Sequence, residues 1–365
     1  MSPGDLIEPW RSESSLVGSA YSTRRVARAR QARCAMRNAS SIAEELDDLR
    51  AWYAGFADRE AAGRSPLYAE LARGVANDEE LLRMLCGLPA PKRQPNLLLA
   101  AVRHVCGLAD GWPQFRAWYF AHHDEITAVM MARRTQTNEP ARCATLLPLL
   151  AQLPQPLALV EVGAAAGLCL LVDYYGYDYG EGRTIPPVIP TPGAPVFACV
   201  ANPLTPIPSK PVTVSWRAGV DLNPIEPSDP EQTRWLKTLI WPGEGRRSQM
   251  LDSALSIARR HPPRVTQADL RDGIAELASE APRDATLVVF HTAVLNYLGT
   301  PQEREDFGDH VQSIGARWIS NEGYGVLSPT TRETDQAWPA NAFVLSLDRQ
   351  PIAQTDPHGT WINWL

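Results

Sequence analysis

The run Leu157-Ala-Leu-Val-Glu-Val162 is apolar at every position but one and passes at once into Gly163-Ala-Ala-Ala-Gly167. A segment so short and apolar reads as a strand covered on both faces, the habit of parallel sheets, and the small residues behind it permit a tight turn. From there on, short apolar runs alternate with helical patterns, the signature of crossover units. Residues 212–216, 285–290, 317–320 and 343–347 read as further strands, the last turning through Asp348-Arg-Gln-Pro351 into 352–355 as an antiparallel hairpin. The expectation is an α/β domain with a mainly parallel, Rossmann-like sheet over residues 153–365. Nine prolines lie between Pro186 and Pro211. They bar a regular helix or central strand, so about 181–211 reads as an inserted loop or small lobe.

The first part of the chain has a different period. Ser41-Ile-Ala-Glu44 is a capping box, and Ile42, Leu46, Leu49, Tyr53 and Phe56 follow at steps of three and four. Ser65-Pro66 opens a second helix, and Asp78-Glu-Glu80 precedes the apolar face of a third. Nothing between residues 40 and 150 alternates like a strand, which predicts an all-α domain over 41–152. Residues 16–43 contain no acid and six arginines. They read as a disordered leader over 1–40, with Met36 a candidate start, or as a transit segment or anion-binding arm.

Forty-four per cent of the 365 residues are apolar, enough for a large core, and the net charge of -6 is too acidic for a protein that coats nucleic acid or anionic lipid. Six cysteines without a CxxC pair argue against a zinc ribbon and a dense disulfide framework, and point to the reducing cytoplasm. No uninterrupted apolar run is long enough to span a membrane. His122-His-Asp-Glu125 does not read as a metal site, because adjacent helical residues point about 100° apart.

A strand, a small-residue bend and a following helix start make a nucleotide-type site. The dinucleotide pattern GxGxxG is missing, since Ala165 stands where the second glycine would be. Glu161, two residues before the bend, would repel phosphate and welcome a cation.

Glu161-Val-Gly163-Ala-Ala-Ala-Gly167 resembles the first motif of the class I S-adenosylmethionine-dependent methyltransferases. That resemblance implies S-adenosylmethionine as cofactor, with Glu161, Gly163, Ala165 and Gly167 around it. Ala218-Gly-Val-Asp221 resembles the second motif, in which Asp221 would grip the ribose hydroxyls, although Asp173 and Asp178 are rivals closer in sequence. Asp269 in Arg264–Leu270 would read the adenine. The segment 285–298 resembles the fourth strand and its sequel, with His291 as catalytic base and Asn296, Tyr297, Glu322 and His358 as substrate contacts. Arg93, Gln94 and Asn96 are candidate lining residues.

Over most of its length, from about residue 45, the chain is also similar to a bacterial family known only as domain of unknown function 2332. The stretches that carry this include Ser65-Pro-Leu-Tyr68, Arg93-Gln-Pro-Asn-Leu97, Arg217-Ala-Gly-Val-Asp221, Phe290-His-Thr292 and Thr355-Asp-Pro-His-Gly359. The expected function is methyl transfer to a small-molecule acceptor. An Asp/Asn-Pro-Pro-Tyr/Phe element is missing after the fourth strand, which counts against nucleic acid as substrate. A non-catalytic metabolite- or protein-binding module and an NAD(P)-dependent oxidoreductase remain the alternatives.

Overall fold

The computed structural model describes residues 39–210, 212–327 and 341–365, with side chains from residue 43. The expected leader lies outside the described residues except for its last two, which are already helical. The capping side chain of Ser41 also lies outside them. The chain divides into two compact units, one ending at Pro95 and including 111–113, the other comprising 96–110 and 114–365.

The first unit is helical. Helix α1 (Ala39–Gly55) runs into a π-helical turn (Phe56–Ala61) and is followed by α2 (Pro66–Asn77) and α3 (Glu79–Cys86). Leu46, Leu49, Tyr53 and Phe56 are buried, as their spacing predicts, with Tyr68, Leu71, Val75, Leu81, Leu82 and Leu85. Ser65 caps α2 by accepting from the Tyr68 N–H at 3.4 Å, and Asp78 caps α3 by accepting from Leu81 at 3.0 Å. Arg93 fastens this unit. It donates to the carbonyls of Leu88 (2.7 Å) and Cys86 (2.8 Å) and pairs with Glu45 at 2.6 Å.

The second unit begins with most of α4 (Pro95–Cys106) and α5 (Trp112–Ala121), then α6 (His123–Ala132) and α7 (Cys143–Leu150). Here the division differs from the boundary expected near residue 152. Every residue of α7 is buried, in one core with Leu157 and Leu159, so this helix belongs with the sheet. Asn96 likewise lies in this unit, where it accepts from the Trp241 indole at 2.9 Å.

The strands of this unit are β1 (Leu157–Val162), β2 (Gly176–Asp178), β3 (Thr184–Ile185), β4 (Val196–Ala198), β5 (Val200–Ala201), β6 (Val214–Asp221), β7 (Val265–Gln267), β8 (Thr286–Thr292), β9 (Arg317–Gly323), β10 (Phe343–Leu347), β11 (Gln350–Thr355) and β12 (Trp361–Trp364). Nine of them form one sheet in the order β5-β12-β11-β10-β9-β8-β1-β6-β7. β7, β6, β1, β8 and β9 are mutually parallel, and β10 and β11 make the expected antiparallel hairpin. β1 lies between β6 and β8, and the connections that follow β1 (towards β6) and β8 (towards β9) leave in opposite directions. Open α/β sheets hold ligands outside the carboxyl ends of their strands at such a switch point.

Helices α8 (Pro230–Thr238), α9 (Gly245–Arg260), α10 (Leu270–Glu280) and α11 (Pro301–Ser313) complete the unit. Leu157, Leu159, Val288 and Phe290 pack in one core with α7 and with Leu251, Ala254 and Leu255 of α9. Val160, Val162, Val220 and Val289 pack with Ile274 and Leu277 of α10 and with Phe307 and Val311 of α11. Among the described residues no helix is long and apolar enough to cross a membrane.

One local feature differs from expectation. The apolar segment after Gly167 is a kinked 3₁₀ stretch (Leu168–Tyr174) and not an α-helix. Side chains take the carbonyls that an α-helix would use: Tyr175 donates to Leu168 (2.8 Å), Arg217 to Leu170 (2.7 Å) and Tyr177 to Val172 (2.6 Å). In the proline-rich insertion β3 and β4 pair with β2, which lies just before it, as a small sheet in the order β3-β2-β4, and its β5 joins the edge of the main sheet beside β12.

Candidate functional site

Neighbouring residues in a strand point to opposite faces, which decides which of the candidate side chains can meet. In the β1–β8 register Glu161 lies beside Phe290 and Val162 beside His291, and in the β1–β6 register Glu161 lies beside Gly219. Glu161, and Asp221 two residues beyond Gly219, therefore share the face covered by α7 and α9. His291 shares the other face with Val162 and Val289. The expected set divides in two.

On the far face His291 is fully buried. Its Nδ1 is 2.6 Å from Glu322 Oε1, and the Trp318 indole N–H donates to its Nε2 at 2.9 Å. An indole can only donate, so the ring proton rests on Nδ1 and is given to Glu322. Glu322 Oε1 also accepts from the N–H groups of Val294 (2.8 Å) and Leu295 (3.2 Å). With both nitrogens engaged, His291 has no lone pair left for a substrate proton in this geometry. The group instead holds the loop after β8, whose Val294 fills the space beside Gly163: a Cβ on Gly163 would come 2.5 Å from Val294 Cγ2.

The bend itself is closed by the protein's own groups. Gly163 and Ala164 donate to the Val220 carbonyl (2.9 and 3.1 Å), and Gly167 donates to Ala164 (2.6 Å). Ala165 donates to Asp221 Oδ2 at 2.9 Å, while Ala166 and Leu168 donate to Asn138 Oδ1 at 3.2 and 3.1 Å. Every N–H from 163 to 168 is thus paired. The backbone is held in the left-handed region at Ala165 (φ 50°) as well as at Gly163 (φ 69°) and Gly167 (φ 66°).

Glu161 is 2% exposed, and its Oε2 has no hydrogen-bond partner. Burial pushes its pKa well above the ordinary 4.5, the charges of Cys169 and Asp221 push the same way, and Arg142 opposes them. Burial thus disfavours the charged form of the side chain expected as a fixed carboxylate. Because the native chain holds the Glu161 proton more tightly than the unfolded chain, stability falls with rising pH from 4.5 up to the native pKa. Glu161→Gln should abolish that decline. Its gain over the wild type should grow by about 1.4 kcal/mol per pH unit across that range, read from denaturant midpoints between pH 5 and 8. Parallel pH profiles for the two proteins would count against a raised Glu161 pKa.

A segment that the motifs did not single out runs across this edge of the sheet. In Thr135-Gln-Thr-Asn-Glu-Pro-Ala-Arg142, Gln136 Nε2 donates to Asp221 Oδ1 (2.9 Å) and to the Asn223 carbonyl (3.0 Å). Asn138 holds the bend. Glu139 accepts from Arg247 at 2.7 Å, and Arg142 donates to the Pro357 carbonyl (2.7 Å) and to the carbonyl and hydroxyl of Thr292 (3.0 and 3.1 Å). In the sequence this polar run looks like a solvated connection between two helices. Its only signal is that four uncharged polar residues, Thr135 to Asn138, precede a helix with Thr145 as its one polar side chain besides Cys143.

Beside this strap lies a cleft of about 460 Å³ lined by Arg133, Arg134, Gln136, Asn223, Ile225, Trp235 and Gln267, among others. Arg133 pairs with Glu231 at 3.1 Å, and the Trp235 indole donates to the Arg134 carbonyl at 2.9 Å. Asp221 stands behind Gln136 and also accepts from the Asn223 N–H at 2.7 Å.

The remaining candidates scatter. Asp269 caps α10 and chelates the Arg271 guanidinium at 2.8 Å, which holds its pKa down to about 2. Asp173 is bound by Arg217 through both oxygens (2.6 and 2.7 Å), and Asp178 accepts from Gly180. Asn296 is exposed. Tyr297 is 69% exposed, yet its phenol end is desolvated enough to raise its pKa, against the pull of Arg134. His358 lies in the turn that Asp356 closes, its Nδ1 3.6 Å from Glu139.

A family model described as an uncharacterized protein conserved in bacteria, DUF2332, matches residues 50–364. The chain belongs to this family. No curated protein and no solved structure gives a match. The DUF2332 match covers the strap, the bend and the cleft together.

Proposed function

We propose that this DUF2332 protein binds a nucleoside cofactor of the S-adenosylmethionine type at the carboxyl edge of its sheet and serves methyl transfer to a small-molecule acceptor. The observation that carries this reading is Asp221, a strand-end carboxylate next to the switch point and directly behind a cleft of about 460 Å³. Such a cleft is within the usual size of small-ligand sites. A carboxylate suits a vicinal diol, since it accepts two hydrogen bonds. The unpartnered, buried Oε2 of Glu161 leaves one polar group beside the bend open to a hydrogen bond from a ligand. When bound, the cofactor supplies an activated methyl group on sulfur. The protein's part is then to orient the acceptor and exclude water.

The closed bend and the engaged His291 favour a second reading, a binding module without turnover. Calorimetric titration with S-adenosylmethionine, S-adenosylhomocysteine and NADH separates these and the oxidoreductase alternative. The first two should bind and NADH should not, and Asp221→Asn should weaken binding roughly ten- to a hundredfold. Binding of neither sulfur nucleotide at millimolar concentration removes the proposal. Binding without methyl loss in the presence of candidate acceptors supports the module.

A further inference from the structure

Gln136 covers the acceptor pair that a diol would need. One amide nitrogen gives its two hydrogens to Asp221 Oδ1 at 2.9 Å and to the Asn223 carbonyl at 3.0 Å. The two acceptors belong to one turn, in which Asp221 also takes the Asn223 N–H at 2.7 Å. Asp221 already accepts three bonds, counting Ala165 and Asn223, of the roughly four a carboxylate can take. Gln136 and Asn223 line the cleft whereas Asp221 does not.

Resting on the nucleoside reading of this cleft, we propose that Gln136 is a built-in placeholder for a vicinal diol and sets both the class and the affinity of the ligand. Two vicinal hydroxyls carry two donors, as the amide NH2 does, so a ribose takes both acceptors that the Gln136 side chain occupies. A deoxyribose supplies one donor for the two acceptors, which is costly where water is excluded, so it binds with Gln136 left in place. The affinity seen is then the intrinsic affinity reduced by the cost of releasing the amide. The same strap carries Asn138 and Arg142, so release of Gln136 loosens the segment that also holds the bend and the end of β8.

The test is titration of adenosine and 2′-deoxyadenosine into the full-length wild type, Gln136→Ala and Gln136→Met, with melting curves to confirm folding. Gln136→Met keeps the length of the side chain and removes its donors. Adenosine should bind both variants roughly tenfold more tightly than the wild type, while 2′-deoxyadenosine should change less than about twofold. In the wild type, the Gln136 side-chain amide resonances should move on adding adenosine. The inference falls if adenosine affinity is unchanged or weaker in both variants, if the deoxynucleoside gains equally, or if neither variant binds adenosine. Wild-type titration with S-adenosylhomocysteine keeps the two proposals apart. Its failure beside a diol-dependent gain removes the cofactor alone, and its success beside no gain removes the placeholder alone.

Discussion

Arg142→Ala should lower the stability of the protein by about 3–5 kcal/mol, the range for removing one partner from a buried charged network. Arg142 is 6% exposed and satisfies two carbonyls and a hydroxyl, those of Pro357 and Thr292, that have little access to water. Truncation leaves them unpaired and withdraws a positive charge from Glu139 and Glu161. A chain of this size loses roughly 2–4 °C in Tm per kcal/mol, so a fall of about 10 °C is expected. Arg142→Lys keeps the charge but loses the fork that reaches both segments, and should fall between the two. A denaturant midpoint for Arg142→Ala within 1 kcal/mol of the wild type would show that the strap is not held this way.

The second large effect is in acid. Burial works against the charge on Glu139, but the neighbouring His358 and the charges of Arg247 and Arg142 outweigh it and hold the pKa down to about 2. A carboxylate whose native pKa is depressed contributes stability that is fully present above the unfolded value of 4.5 and is lost as pH falls towards 2. Up to about 3 kcal/mol is at stake in that window. Glu139→Gln should be less stable at neutral pH and should show a flatter decline between pH 4.5 and 2, followed by circular dichroism at constant ionic strength. With Glu161 acting in the opposite direction above pH 4.5, the wild type should be most stable in mildly acidic solution.

The unequal legibility of these parts has a physical basis. β1 and β8 could be read because a strand buried on both faces must be nearly all apolar, whereas β6 showed in the sequence only through the alternation of 212–216, and alternation of such runs with helical patterns implied parallel neighbours. The same alternation rule would have placed Glu161 and His291 on opposite faces, had the two strands been aligned residue by residue. Register is a long-range property, however, set by partners more than a hundred residues apart. The 3₁₀ stretch after Gly167 could not be foreseen. What ends its helical ladder is competition from Tyr175, Tyr177 and Arg217, whose reach depends on the lobe and on β6. The strap is the clearest case. Gln136 and Asn138 are ordinary loop residues in the sequence, and only the fold brings them to Asp221 and to the bend.

The main sheet finishes in β7, three residues long, and in β5, two residues long. Unpaired strand borders invite another molecule to dock by backbone bonding, and very short borders deny it the rungs. By laying Val200 and Ala201 against Trp361 and Ile362, the proline-rich lobe shields the otherwise open flank of a carboxy-terminal strand carrying two tryptophans. In that position the lobe acts as a guard against fibre-like self-association.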